Sequence, residues 1–96
     1  MVVVLTAEEA SQKIASGSSV MIGGFGNVGN PKVMIESVAD FGVEGLTVIA
    51  NDLGTPNVGL GRWVRQKMIK KAIGTYFTWN PEVAQEMRAG SLEVKL

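Results

Sequence analysis

Four glycines fall within seven residues, at Gly23, Gly24, Gly26 and Gly29, between the apolar run Val20-Met21-Ile22 and the pair Asn30-Pro31. Glycine tolerates positive φ and lets a ligand approach the backbone closely. The apolar run reads as a buried strand, and Asn30-Pro31 as an N-cap followed by the first helical residue. A strand, a glycine-rich turn and a helix N-terminus in succession predict an anion site, with unpaired amides and the positive dipole end turned to the ligand. A tight βα turn is the plainer reading of the same glycines. Phe25 and Val28 favour a ligand, because apolar side chains at a strand's C-terminal end suit covering a ligand or partner better than facing water. The candidate binding element is therefore Gly23, Gly24, Phe25, Gly26, Asn27, Val28 and Gly29. Asp52 ends the next strand, where open α/β sheets hold their ligands; an Asx turn that closes the strand is an equal reading of it.

Gly24-Phe-Gly26-Asn-Val-Gly29 also fits G-x-G-x-x-G, with Asp52 at about the ~20-residue distance of a nicotinamide dinucleotide fingerprint. Pro31 argues against it. In that fingerprint the helix begins before the third glycine, which would put Pro31 past the first turn at a cost of ~3 kcal/mol. A loop that stays open to Asn30, with its helix starting at Pro31, is a different device. No lysine follows the last glycine, so the phosphate-binding P-loop does not apply.

The elements that hold these residues alternate. Thr6 and Glu9 fit a capping box, opening a helix to about Ala15 with Ala7, Ala10 and Ile14 on one face. Ser19–Gly23 is a strand. From Pro31, Val33, Met34, Ile35, Val38 and Phe41 give a helix a wide apolar side, ended at Gly42. Leu46–Ala50 is a second buried strand, and residues 51–57 are a polar loop. Leu60, Trp63 and Val64 carry a third helix reaching toward Met68, with Arg62, Arg65 and Lys67 outward. Ala72–Phe77 reads as a third strand, with Gly74 marking a bulge or a close approach. Asn80-Pro81 opens a fourth helix with Val83, Ala84 and Met87 buried, up to Gly90. Leu92–Leu96 alternates as a half-exposed or edge strand. The expectation is α/β, with a mainly parallel sheet and right-handed crossovers.

Composition narrows the functions. In 96 residues there is no cysteine and no histidine, which removes disulfides, thiol chemistry, histidine bases and the usual zinc ligands; no metal site is expected. Net charge is zero with scattered basic residues, so neither nucleic acid nor a membrane surface is an expected partner. Met1–Leu5 is too short for a signal segment or a membrane span, which predicts a cytoplasmic chain. An apolar share of 46% predicts a core or interface larger than these residues close alone, with Trp63, Met68 and Met87 short of cover.

Taken together, the residues resemble the α subunit of family I CoA-transferases of the acetate/3-oxoacid type. The family signature is an apolar triplet, G-G-F, three variable residues, G, one variable residue and P. It stands here as Val20-Met-Ile22, Gly23-Gly-Phe25, Gly26-Asn-Val28, Gly29, Asn30 and Pro31. Similar stretches follow at 45–52, 57–61, 70–73, 80–82 and 90–96, so the resemblance covers nearly the whole chain. Ser16-Gly17 departs slightly from the usual Asp-Gly or Asn-Gly before the signature. The resemblance implies a three-layer α/β/α CoA-transferase fold, of which residues 1–96 are the N-terminal portion. It implies transfer of CoA between an acyl-CoA and a short-chain carboxylate, with coenzyme A as substrate and no permanently bound cofactor. Catalysis would run through acyl-anhydride and glutamyl–CoA thioester intermediates. The nucleophilic glutamate comes from a partner β subunit. Its motif has no counterpart here, so no catalytic nucleophile is expected in this chain. Asn51 matches a family asparagine beside the active site and is expected to hydrogen-bond substrate or thioester. The family's Pro-Gln-Gly-Thr segment, which follows the last strand, lies beyond Leu96. This makes a non-catalytic interaction module a further reading.

Overall fold

The structure is a computed structural model that describes residues 3–96; Met1 and Val2, part of the apolar N-terminal run, lie outside the described residues. Its elements follow one another as α1 (Ala7–Ser11), β1 (Ser19–Ile22), α2 (Lys32–Phe41), β2 (Leu46–Ala50), α3 (Leu60–Arg65), β3 (Ile69–Ile73), α4 (Pro81–Ala89) and β4 (Glu93–Lys95). All strand pairs are parallel, in the spatial order β1-β2-β3-β4. With spatial order equal to chain order, right-handed crossovers put α2, α3 and α4 on one face of the sheet. Each helix packs on the next, α1 on α2, α2 on α3 and α3 on α4. The described residues thus supply the sheet and one helical layer of the expected α/β/α arrangement. None of their helices is long and apolar enough to cross a membrane.

The strands show the two faces by alternation. Ile22, Leu46, Val48, Ile69 and Ala72 are buried under the helices. The other face carries a polar row, Thr47 beside Lys71 beside Glu93, closed by the Lys71–Glu93 ion pair at 3.2 Å. Next to it runs an apolar row, Met21 beside Ile49 beside Ile73, with Met21 78% exposed.

Several expected boundaries move, each for a local reason. The capping box on α1 forms with both bonds, Glu9 N to Thr6 Oγ1 at 3.1 Å and Thr6 N to Glu9 Oε1 at 3.0 Å. Its helix nonetheless ends at Ser11, because Lys13 and Ile14 donate three residues back and tighten the chain out of the α-helix. The α1–α2 contact is polar: fully buried Ser11 meets the Ser37 hydroxyl at 3.0 Å. On α2 the buried stripe is Ile35, Val38 and Ala39, whereas Val33 and Phe41 lie exposed. The third strand begins three residues earlier than expected. The chain reverses at Lys67 (φ 58°), so Met68 and Ile69 enter the core instead of extending α3. Lys70 is then an extra residue between the Leu46–Ile69 and Thr47–Lys71 pairs. This bulge breaks the two-residue period by which a strand is recognised in sequence. Gly74 is not the bulge but a close approach, since a β-carbon there would overlap the Ala50 carbonyl oxygen. Of the α4 residues expected inside, Val83 is buried while Ala84 and Met87 are exposed. The helix meets α3 and the turn after it through charges, Arg65 with Glu82 at 2.7 Å and Lys67 with Glu86 at 2.8 Å. Trp63 and Met68, expected to lack cover, are 1% and 3% exposed.

Leu46, wholly buried, and Met21 test the assignment of faces. Leu46→Ala should lower stability by about 2–5 kcal/mol, and Met21→Ala should stay within about 0.5 kcal/mol, read from urea unfolding midpoints. The Lys67–Glu86 ion pair tests pH dependence. Hydrogen bonds from Lys67 and Ser91 hold the Glu86 carboxyl below its ordinary value. A carboxylate with a lowered folded-state pKa contributes stability above the unfolded value of about 4.3 and loses it as pH falls through the folded one. The advantage of wild type over Glu86→Gln, below about 1 kcal/mol for a partly exposed pair, should be present at pH 7 and shrink progressively as pH falls below about 4.3.

Candidate functional site

The C-terminal ends of β1 and β2 bring together the glycine loop, Asn51 and Asp52. Asp52 ties them. Its carboxylate is 4% exposed and accepts from Gly26 N at 2.9 Å, Gly54 N at 2.7 Å and Asn51 Nδ2 at 3.1 Å. The bond to Gly54 N is the expected Asx turn closing β2. The bond to Gly26 N goes further, reaching across to the loop after β1.

That loop is a miniature hairpin rather than an open cradle. Phe25 and Val28 exchange backbone bonds of 2.9 and 3.0 Å, N–H of each to the carbonyl of the other. Gly26, at φ 60°, takes the first central position, where two-residue hairpin turns of type II′ require glycine. Phe25 and Val28 project outward, 54% and 75% exposed. Asn27 anchors the other side, its Nδ2 donating to Thr55 Oγ1 at 2.9 Å.

Two expectations about this loop need correction. The amides of Phe25, Gly26 and Val28 are taken by protein acceptors, one of them a carboxylate, so at these positions the loop does not offer free donors to an anion. Asn30 and Pro31 do not form the expected cap either. Lys32 N donates to Asn30 O at 2.9 Å around Pro31 at φ −76°, ψ 76°, an inverse γ-turn, and α2 starts at Lys32. The Asn30 side chain is drawn back to the strand end, its Nδ2 donating to Gly23 O at 3.2 Å, which leaves Oδ1 buried without a partner. Asn80-Pro81 does make the expected cap, with Asn80 Oδ1 accepting from Glu82 N at 3.0 Å.

Asn51 is half-buried, and its backbone carbonyl accepts from Thr75 N at 3.0 Å and Tyr76 N at 3.3 Å. Its side chain lies beside the Tyr76 hydroxyl. Burial and the Asp52 charge push that phenol above its ordinary pKa, opposed by the hydrogen bond with Asn51. Tyr76 and Trp79 are not among the residues the sequence places at the site, although both meet Phe25 there. The signal available is three aromatics in four residues, Tyr76, Phe77 and Trp79, following a strand. Among the described residues no cluster of acidic side chains could hold a metal ion.

The arrangement can hold a neutral or weakly polar group against Phe25 and Val28, beside an Asn51 amide that donates to Asp52 and lies against the Tyr76 hydroxyl. It makes Asp52 a positioning residue. Asp52→Asn would set an NH2 against one or more of three converging donors. It should cost about 1–3 kcal/mol in a denaturant titration and abolish the protection of the Gly26 amide from hydrogen exchange.

Known proteins are similar in sequence to this chain over most of its length. The family model described as Coenzyme A transferase matches residues 4–96. A Mycobacterium bovis protein, named as one subunit of a probable succinyl-CoA:3-ketoacid coenzyme A transferase, is 43% identical over 94 residues, covering 98% of this chain and 38% of the relative. The alpha subunit of a probable coenzyme A transferase of Bacillus subtilis is 38% identical, covering 95% of this chain and 40% of the relative. The alpha subunit of the Clostridium acetobutylicum acetoacetyl-CoA:acetate/butyrate CoA transferase is 36% identical, covering 83% and 37%. The chain thus spans about two-fifths of the length of these curated relatives. With its signature loop, its parallel sheet and a family match over nearly its whole length, the chain belongs to the coenzyme A transferase family.

Proposed function

We propose that this chain is the N-terminal part of a cytoplasmic CoA-transferase α subunit that moves CoA between an acyl-CoA and a short-chain carboxylate, together with a β subunit. The observation that carries the reading is the Asp52 carboxylate, which braces the Gly23–Gly29 loop and Asn51 into one wall at the strand ends. Because it already accepts three donors in a buried setting, Asp52 is no nucleophile. Glu8, Glu9, Glu36, Glu82 and Glu86 sit on helix faces, in caps or ion pairs. The attacking carboxylate, as the family resemblance implies, belongs to the β-subunit partner.

In the first half-reaction a partner glutamate oxygen attacks the thioester carbonyl. The C–S bond breaks, leaving an acyl–glutamyl anhydride and CoA thiolate. The thiolate then attacks the glutamyl carbonyl, releasing the acyl group as free carboxylate and leaving a glutamyl–CoA thioester. An acceptor carboxylate runs the same steps in reverse. Asn51, keeping its bond to Asp52, turns its other N–H from the Tyr76 hydroxyl to the oxygen on which negative charge develops in these additions. The loop, lacking free donors at Phe25, Gly26 and Val28, meets the thioester and pantetheine end of CoA rather than its phosphates.

The same carboxylate disfavours a nicotinamide dinucleotide. That fingerprint needs the acid after the second strand free to bind ribose hydroxyls, and here Asp52 is buried and fully engaged. Calorimetric titration with acetyl-CoA and with NAD decides between them: weak binding of acetyl-CoA and none of NAD is expected, and the opposite result overturns the reading. Gly24→Val and Gly26→Val should each weaken acetyl-CoA binding at least tenfold with little change in helical circular dichroism. Both positions have positive φ, and a β-carbon at Gly24 would lie 2.5 Å from Asn30 Nδ2. Unchanged binding in both variants would reduce the loop to a structural turn.

A further inference from the structure

Two aromatic rings without a role in the chemistry above, Tyr76 and Trp79, stand against Phe25 of the glycine loop. Phe25 and Trp79 meet edge to face, centroids 5.0 Å apart at 89°; Tyr76 meets Trp79 at 5.6 Å and 81°, and Phe25 at 6.1 Å. Ring clusters of this geometry stabilise cores, but a core cluster is buried. Here Phe25 is 54% and Trp79 46% exposed, so two large apolar rings hold each other in place while facing solvent. The cluster joins both halves of the site. A β-carbon on Gly26 would meet Trp79 Cζ3 at 2.6 Å, which places the indole directly over that glycine. Tyr76 joins the cluster to Asn51, its backbone amide donating to the Asn51 carbonyl at 3.3 Å.

From this geometry we infer that Trp79 is a specificity-determining residue: with Phe25 it forms a fixed apolar wall over Gly26 that limits the length of the acyl chain. The inference rests on the acyl-CoA reading of the site. The indole cannot swing aside without losing two ring contacts, and the loop beneath it is held by Asp52. A short acyl group gains apolar contact with the ring edge. A longer one runs into it. Replacing Trp79 by alanine clears the space above Gly26, and each further methylene of a long chain then finds apolar cover.

The test compares affinities of acetyl-, butyryl- and hexanoyl-CoA for wild type, Trp79→Phe and Trp79→Ala. Wild type should prefer the short chains. Trp79→Ala should raise hexanoyl-CoA affinity relative to acetyl-CoA on the order of tenfold, with Trp79→Phe between. Wild-type fluorescence gives a readout that needs no variant to fold. Trp63 is buried and Trp79 half-exposed, so acrylamide quenching reports Trp79, and acyl-CoA should protect it more than CoA does. If acyl-CoA binds but Trp79 stays fully quenchable, or if chain-length preference is the same in all three proteins, the inference is overturned while the acyl-CoA reading stands. Failure of wild type to bind any acyl-CoA overturns both.

Discussion

A carboxylate taken out of water loses several kcal/mol of solvation unless the protein returns equivalent partners. Asp52 is in that position, and its three donors come from the loop after β1, from its own neighbour and from the turn after β2. Each donor has to be where it is for the carboxylate to be tolerated. The consequence is a coupling: the conformation of the glycine loop, the direction of the Asn51 amide and the course of the chain after β2 are set together. The same bonds deny an incoming anion the Gly26 amide, so a glycine-rich loop that looks suited to phosphate presents hydrophobic side chains instead.

The sheet delivers these groups to one end because all its strands run parallel. Every strand's C-terminal end, and every loop leaving it, then lies on the same rim. Spatial order equal to chain order also sends each crossover over one face. The buried side of β1, β2 and β3 packs under α2 to α4, and the Met21, Ile49, Ile73 row lies on the other. Helices on a single face explain why buried side chains concentrate in alternate strand positions even in β2, a central strand whose sequence is uniformly apolar or β-branched.

At the rim, backbone approaches backbone more closely than side chains would allow. Gly74 lies against the Ala50 carbonyl, where a β-carbon would overlap it. That contact lets the segment after β3 fold back to Asn51 and carries Tyr76 and Trp79 over the loop. A single missing side chain thereby connects the third strand to a site built on the first two.

Local rules were sufficient wherever the controlling interaction is local. The capping box of Thr6 and Glu9, the Asn80-Pro81 start of α4, the left-handed glycines ending α2 and α4 at Gly42 and Gly90, and the bounds of β2 all follow from neighbours within a few residues. So does the alternating order of strands and helices, and the signature from Val20 to Pro31 was enough to point to the family. Tertiary structure decided what depends on partners distant in sequence. Lys70 bulges because β3 must register with β2, and that bulge hid the strand's period. Asn30 turned away from α2 because the Gly23 carbonyl across the loop competes for its amide. Ala84 and Met87 stayed outside because α4 meets α3 and the turn after it through ion pairs. The ring cluster of Phe25, Tyr76 and Trp79 lies beside Gly26, whose amide is held by Asp52, twenty-six residues along the chain. No pattern of spacing within either segment encodes that bond; it exists because the parallel sheet lays two strand ends side by side.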